Sequence, residues 1–170
     1  AFCAIAALCI FLSSNYDREK RRYLILMESF ASLLLLMDAM AHIFSGYPGV
    51  PGSVMVRISS FLVFLLSDVV LLCFHIYVCV YLFSKRERRT LKRVKAGYVI
   101  AAAEVAFVVI SQFTHWHYYI DGDNCYHRAP LYIMSILLSA AGLLIDLTLL
   151  LQYKKRVSRK LLFSMLSCIV

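Results

Sequence analysis

Long apolar blocks constrain this chain more than any other feature of its sequence. Four of them span residues 23–44, 55–83, 96–113 and 131–151. The hydrocarbon core of a bilayer is ~30 Å thick, and ~20 helical residues are enough to cross it. Only 16% of the residues are charged, too few to cover the surface of a soluble domain of this length. The sequence therefore predicts an all-α fold, a polytopic bundle of transmembrane helices.

Two shorter apolar blocks stand near the chain ends, at residues 1–14 and 161–170. The first has no initiator Met and is followed, not preceded, by basic residues, which is the reverse of a secretory signal. We interpret both blocks as truncated spans. Residues 1–170 are then a single transmembrane domain cut at both ends, with five to six helices visible of an expected seven.

The positions of the basic residues predict the orientation of the helices. Sixteen of the eighteen Lys and Arg residues lie in the connections 15–22, 85–95 and 153–160, and only Arg57 and Arg128 lie in the alternate ones. This pattern follows the positive-inside rule, so we expect a multi-pass protein of the cell membrane with cytoplasmic basic loops. The net charge of +8 then suits the bilayer and its anionic inner-leaflet lipids, and no nucleic acid is expected as a partner.

No catalytic motif, such as a phosphate loop, a nucleophile elbow or an HExxH helix, is present in the sequence. We predict no catalytic residue, no cofactor and no metal site in this chain, and whether the whole protein is an enzyme stays open. The connection 114–130 could alternatively bind zinc or calcium, although its spacing fits no known site and an ordinary solvated loop is the simpler interpretation. Its candidate ligands are His115, His117, Asp121, Asp123, Cys125 and His127.

Ionisable residues inside apolar spans are costly in lipid and are candidates for function. Those predicted here are Asp38, Arg57, Asp68, His75 and Glu104. Asp68 and His75 are seven residues apart and share a helix face, which favours either a packing contact or a proton relay. A further acid, Asp146, lies about 7 Å from a cytoplasmic end, where we expect the basic loops to solvate it or pair with it.

Asp38 and Arg57 flank a short connection rich in Gly and Pro, residues 45–54. A short connection makes the two helices antiparallel neighbours, so we predict an ion pair between these side chains, which His42 could share. The alternative is that Arg57 reaches the lipid headgroups while Asp38 is protonated.

Several short strings resemble a known family. They are residues 55–59 and 61–64, residues 110–114, then Tyr118, Tyr119, Asp121, Asn124, Tyr126 and residues 128–130, and finally Gln152, Tyr153, Lys155, Arg156 and Ser158. Together they resemble the N-terminal multi-spanning membrane sensor region of Clostridia-type bacterial signalling proteins. The resemblance implies a C-terminal cytoplasmic output domain, most often a GGDEF diguanylate cyclase and otherwise a histidine kinase.

The sequence thus leads to a first hypothesis of a membrane sensory module for an extracellular or intramembrane signal, a small molecule among the possible signals. The long polar connection 114–130 is where we expect the signal to act, through Asp121, Asn124, Tyr126 and Arg128. A homodimer is expected if an output domain follows. A small solute or proton-coupled transporter and a membrane anchor without a ligand are the alternatives.

Overall fold

The computed structural model describes residues 18–156, and these form four long helices. They are α1 (Arg18–Phe44), α2 (Val50–Leu82), α4 (Lys92–Thr114) and α5 (Tyr132–Gln152), with a short α3 (Lys85–Thr90) and a 3-10 turn (Lys154–Arg156). All four are long and apolar enough to cross a membrane. Each predicted apolar block coincides with one of them, which confirms the helical class. The blocks 1–14 and 161–170 lie outside the described residues, so the total number of spans stays a prediction.

Helix α2 is the centre of the bundle and packs against α1, α4 and α5. Its 33 residues extend over about 50 Å, longer than the ~30 Å of a bilayer core. A cluster of buried apolar side chains from α2, α4 and α5 forms the core, and it includes Phe74, Val78, Val94, Leu149 and Leu150. Within Arg18–Phe44, by contrast, no residue is buried. Helix α1 packs along α2 and contributes only partly buried side chains to the core.

The two ends of the bundle differ in composition. We call residues 18–22, 83–95 and 153–156 the basic end, because they include every described Lys and Arg except Arg57 and Arg128. We call residues 45–49 and 115–131 the hairpin end. The alternating direction of the long helices brings each of these sets of connections together, as the sequence predicted.

The hairpin end contains the one departure from an all-helical fold in residues 18–156. Strands β1 (Tyr118–Ile120) and β2 (Tyr126–Arg128) pair antiparallel, with Tyr118 opposite Arg128 and Ile120 opposite Tyr126. The sequence analysis predicted only a polar connection here. In hindsight the signal is an Asp-Gly-Asp-Asn turn between two triplets rich in aromatic residues, a pattern that favours a short hairpin.

Candidate ligand-binding site and buried polar groups

A cavity of about 460 Å³ lies at the hairpin end, between α1, α2, β2 and the start of α5. Its volume is in the range of small-molecule sites in proteins. Each element contributes polar groups to its wall, namely Asp38, His42, Ser45, Ser60, Tyr126, Arg128 and Tyr132. Of these, the sequence analysis named only Tyr126 and Arg128 as sensing residues. It could not have found Ser60 or Tyr132, because nothing in their local sequence tells which face of a helix meets a cavity.

The hairpin and an aromatic stack hold Arg128 at the wall of this cavity. Its guanidinium carbon lies 4.9 Å from the centroid of the Tyr132 ring, within range of a cation–π interaction. It also lies beside Tyr126 in the cavity wall. Phe64 of α2 stacks on Tyr118 at a centroid distance of 5.2 Å and contacts the rings of Tyr126 and Tyr132 at 6.2 Å. The cation is thereby fixed in place without an ion pair to an acidic residue of the described chain.

The opposite wall of the cavity is acidic. Asp38 and His42 stand one turn apart on α1, with Asp38 Oδ1 3.8 Å from His42 Nε2, and both side chains are largely exposed. A ligand between α1 and the hairpin would therefore meet a carboxylate on one side and a guanidinium on the other. Burial raises the pKa of Tyr126, so its hydroxyl stays protonated and can donate a hydrogen bond to such a ligand.

Asp121 and Asn124, the other two predicted sensing residues, shape the hairpin and do not line this cavity. Asp121 Oδ1 accepts hydrogen bonds from the backbone N–H groups of Cys125 (2.8 Å) and Asp123 (3.0 Å). Its other carboxylate oxygen lies 2.7 Å from His127 Nε2. These contacts, the one from Cys125 first, lower the pKa of Asp121 below its usual value.

Asn124 joins the hairpin to the connection between α1 and α2. It adopts a left-handed backbone conformation with φ of 61°, which Asn tolerates better than most residues. Its side-chain amide donates to the backbone carbonyl oxygen of Tyr47 at 2.9 Å. The backbone N–H of Gly46 in turn donates to the backbone carbonyl oxygen of Asn124 at 3.1 Å. Two of the four predicted sensing residues therefore line the cavity, and the other two position the hairpin that carries them.

His117 is fully buried under the hairpin. Its ring stacks on Tyr132 at a centroid distance of 5.1 Å and meets the edge of Phe64 at 4.3 Å. Neither ring nitrogen has a hydrogen-bond partner in the described structure. Burial lowers the pKa of His117, so the ring is neutral at pH 7. Among residues 18–156 no three His, Cys, Asp or Glu side chains come together as metal ligands, and His117 is caged by aromatic rings.

A second set of polar groups is buried between the helices. His75 Nδ1 lies 2.6 Å from Asp146 Oδ1, and its Nε2 lies 3.2 Å from the carbonyl oxygen of Val94. Asp146 is 2% exposed, so the prediction that the basic loops solvate or pair with it is wrong. Helix α5 is rotated so that this residue points between α2 and α4. Gly97 makes the arrangement possible, because the His75 ring occupies the space that a Cβ at position 97 would need.

Asp68 and His75 are both buried on α2, but they belong to different polar groups and no hydrogen bond joins them. Asp68 lies close enough to the Glu104 carboxyl of α4 for the two charges to repel each other, and Ser139 of α5 lies beside Glu104. One oxygen of each carboxyl, Asp68 Oδ2 and Glu104 Oε1, is buried without a partner among the described residues. Each of the two residues thus contacts a different neighbour on α4 or α5, and whether they take part in a proton relay stays a prediction.

The predicted ion pair between Asp38 and Arg57 does not form in the structure. Asp38 pairs with His42, whereas Arg57 lines a separate cavity of about 380 Å³ with Gln112 and Tyr118. The helices are antiparallel neighbours as predicted. The error lies in the rotation of α2 about its axis, which points Arg57 towards the end of α4 instead of towards α1.

Comparison of the chain with protein-family models, with curated proteins and with solved structures finds no match.

Proposed function

We propose that the chain is a membrane-embedded sensory module that binds a small molecule at the hairpin end and transmits the event to the basic end. The observation that carries this proposal is the cavity of about 460 Å³ between α1 and the hairpin, with Arg128 and Tyr126 on one wall and Asp38 on the other. The proposal places four spans in the cell membrane with the basic end in the cytoplasm, as the distribution of Lys and Arg favours. The hairpin end then faces outward, where an extracellular signal would arrive.

Transmission needs a part of the molecule that can take two positions, since a ligand shifts an equilibrium only by binding one state better than the other. Helix α1 is the best candidate because it forms one wall of the cavity and contributes no buried residue to the core. Closure of α1 on a bound ligand would move its other end, which lies at the basic end. Binding energy at the hairpin end could in this way change contacts at the opposite end of the bundle.

The contacts of α1 at the basic end lead towards the end of α5. Glu19 of α1 pairs with Arg88 of α3 at 3.1 Å, and Glu87 of α3 pairs with Arg156 at 3.1 Å. Arg156 also donates to the carbonyl oxygen of Leu82 at 3.1 Å. A shift of α1 would thus change the contacts of Arg156 at the C-terminal end of α5. The resemblance to Clostridia-type sensor regions supports a C-terminal cytoplasmic output domain, a diguanylate cyclase first and a histidine kinase second, acting as a homodimer.

The test uses the full-length gene product, with cellular cyclic di-GMP as the readout. Arg128→Gln and Tyr126→Phe should shift the signalling output at least several-fold while insertion into the membrane is unchanged. Arg57→Gln is the matched control, because Arg57 of α2 is a cation near the hairpin end that lines a different cavity. Equal output from the parent and from both cavity variants would contradict the proposal. A reading frame that ends soon after Val170 would exclude the output domain.

A second candidate function is a small transporter. It is favoured by the buried titratable groups between the helices, Asp68, His75, Glu104 and Asp146, which could line a proton or solute route. Transporters more often have helices broken by Gly or Pro near the midplane, and α2, α4 and α5 are continuous. Solute uptake into proteoliposomes that contain the purified chain would favour the transporter over the sensor.

A further inference from the structure

A cavity of about 500 Å³ lies at the basic end, between α1, α2, α3 and α4. Its volume is in the range of small-molecule sites in proteins. Three cations line it, Lys85 and Arg88 of α3 and Lys95 of α4, and Glu19 is the only acid among the described residues of its lining. Lys85 and Arg88 are three residues apart, so both lie on the same face of α3. The wall of this cavity is therefore positively charged.

The positive charge of this wall is only partly neutralised within the described chain. Arg88 Nη2 pairs with Glu19 Oε1 at 3.1 Å. Lys85 and Lys95 are exposed, and neither forms an ion pair with a described acid. The one acid of α3, Glu87, is paired outside this cavity. Two lysine charges in the cavity wall are therefore available to a ligand.

The start of α4 adds to the positive potential at this cavity. The first amide groups of a helix form the positive end of its dipole, where acidic side chains are stabilising and basic ones are not. The first turn of α4 contains no acid and instead carries Lys92, Arg93 and Lys95. An anion beside the Lys95 side chain would relieve this repulsion.

The deeper part of the cavity is less polar, and Tyr23, Ile76 and Tyr98 line it. At ~1.5 Å per residue, Ile76 lies about 9 Å from the end of α2 at Leu82, and Tyr98 lies about 9 Å from the start of α4 at Lys92. Tyrosine rings are typical of the headgroup level of a membrane. A ligand that fits both parts has a negative group at the lysines and a less polar part between the helices, as a phospholipid has.

We propose that this cavity binds the phosphate group of one anionic phospholipid, with Lys85 and Lys95 as its cationic ligands. Lysine side chains bind phosphate oxygens through charge-assisted hydrogen bonds. The general attraction of basic loops to an anionic leaflet depends on no particular residue, whereas this site holds one lipid through two particular lysines. The site requires the four spans to lie in a membrane, and it is independent of the proposed sensory function. The same lysines would accept the phosphate of a soluble ligand, so the test separates the two sources.

The test is thermal unfolding and native mass spectrometry of the purified, delipidated full chain in a neutral detergent. Dioleoyl phosphatidylglycerol should raise the melting temperature by roughly 3–6 °C more than dioleoyl phosphatidylcholine, because a ligand that binds only the folded state stabilises it. The mass spectra should show one retained phosphatidylglycerol per chain. In Lys85→Gln/Lys95→Gln most of this shift and of the retained lipid should be lost. Lys154→Gln/Lys155→Gln is the matched control and should keep both, since it removes two exposed lysines of the basic end that lie outside the cavity.

Equal shifts with the two lipids, or a full phosphatidylglycerol shift in Lys85→Gln/Lys95→Gln, would overturn the lipid site. An equal loss in Lys154→Gln/Lys155→Gln would assign the effect to general attraction at the basic end, which also overturns it. Sodium phosphate is compared with sodium chloride at equal ionic strength, and stabilisation by phosphate as large as that by phosphatidylglycerol would exclude the lipid as the source. Each shift is measured within one variant, so a change in that variant's own stability does not affect the result. If the double variant does not fold, Lys85→Gln and Lys95→Gln singly give the same decision.

Discussion

The two ends of this bundle are held together by different interactions. At the basic end, Glu19 and Glu87 each pair with an arginine of another element, and Lys20 lies over the Tyr81 ring at 4.3 Å. At the hairpin end, the backbone amides of the turn, the Asn124–Tyr47 bond and stacked aromatic rings hold the elements in place. Ion pairs on the surface are tolerant of small movements, whereas the hairpin is set by short-range contacts of fixed geometry. The contrast suits a shaped binding site at one end and an adjustable connection at the other.

The largest expected effect concerns which end faces outward. In a Cys-free background, we expect an impermeant thiol reagent to label Asp123→Cys on intact cells and not Lys154→Cys, since both positions are exposed but lie at opposite ends. Permeabilised cells should allow labelling of both and serve as the control. Labelling of position 154 in intact cells would contradict the predicted orientation and, with it, the proposed extracellular role of the hairpin.

The rigid contacts of the hairpin end predict a large penalty for Gly52→Ala. An added Cβ would collide with the carbonyl group of Tyr47, the same carbonyl that accepts the hydrogen bond from Asn124. We expect a loss of about 1–3 kcal/mol in unfolding free energy, measured by thermal unfolding in detergent. Gly122→Ala is the matched control, because a Cβ there meets nothing within 4 Å. Equal stability of the two variants would mean that this end is less rigid than the structure indicates.

The burial of His117 predicts that the hairpin loosens at acid pH. Burial lowers the pKa of His117, so an opened hairpin takes up a proton that the closed form resists. Above the ordinary histidine pKa of 6.5 the His117 ring is neutral in both forms, and the stability of the closed hairpin does not depend on its protonation. Below pH 6.5 the closed form loses stability, by at most about 1.4 kcal/mol per pH unit. The fluorescence of Trp116, the single tryptophan, reports the opening.

His117→Phe provides the control for this pH dependence. It keeps an aromatic ring in the cage and removes the titration, so the transition below pH 6.5 should disappear. His115, His42 and the His127–Asp121 pair are unchanged in that variant. A transition unchanged in His117→Phe would assign the effect to one of them.

The smallest effect is expected at the basic end, from Glu87→Gln. Contacts with the Ser84 backbone and with Arg156 lower the pKa of Glu87. The ionised side chain therefore contributes its full stabilisation of the fold above pH 4.5, the ordinary pKa of Glu, and this stabilisation is lost as the pH falls through the lowered pKa. The pair is exposed, and a glutamine can still accept the bond from the Ser84 backbone N–H. The melting temperature should change by less than about 2 °C at neutral pH, and this change should vanish in high salt. A larger change would show that the connection to Arg156 is more than a surface contact.

Two of the four sensing residues predicted from the sequence line the candidate site. The length and polarity of residues 114–130 led to Tyr126 and Arg128, which do line the cavity. Asp121 and Asn124 were selected by the same criteria, yet their side chains hydrogen-bond the backbone and stabilise the hairpin turn. A polar residue in a loop can bind either a ligand or the nearby backbone, and the sequence does not distinguish these two roles. The opposite wall, with Asp38 and His42, comes from a helix more than 75 residues earlier in the chain.

The sequence by itself determined the long helices and the gathering of basic residues at one end. These depend on local properties, the apolar length of a segment and the charge of a connection, which can be read one segment at a time. Only the tertiary structure decided which way each helix is turned. Asp146 faces His75 instead of the basic loops, and Arg57 faces Tyr118 instead of Asp38. The rotation of a helix that is apolar on every side is set by packing against its neighbours, and its sequence has no hydrophobic periodicity that would indicate this rotation.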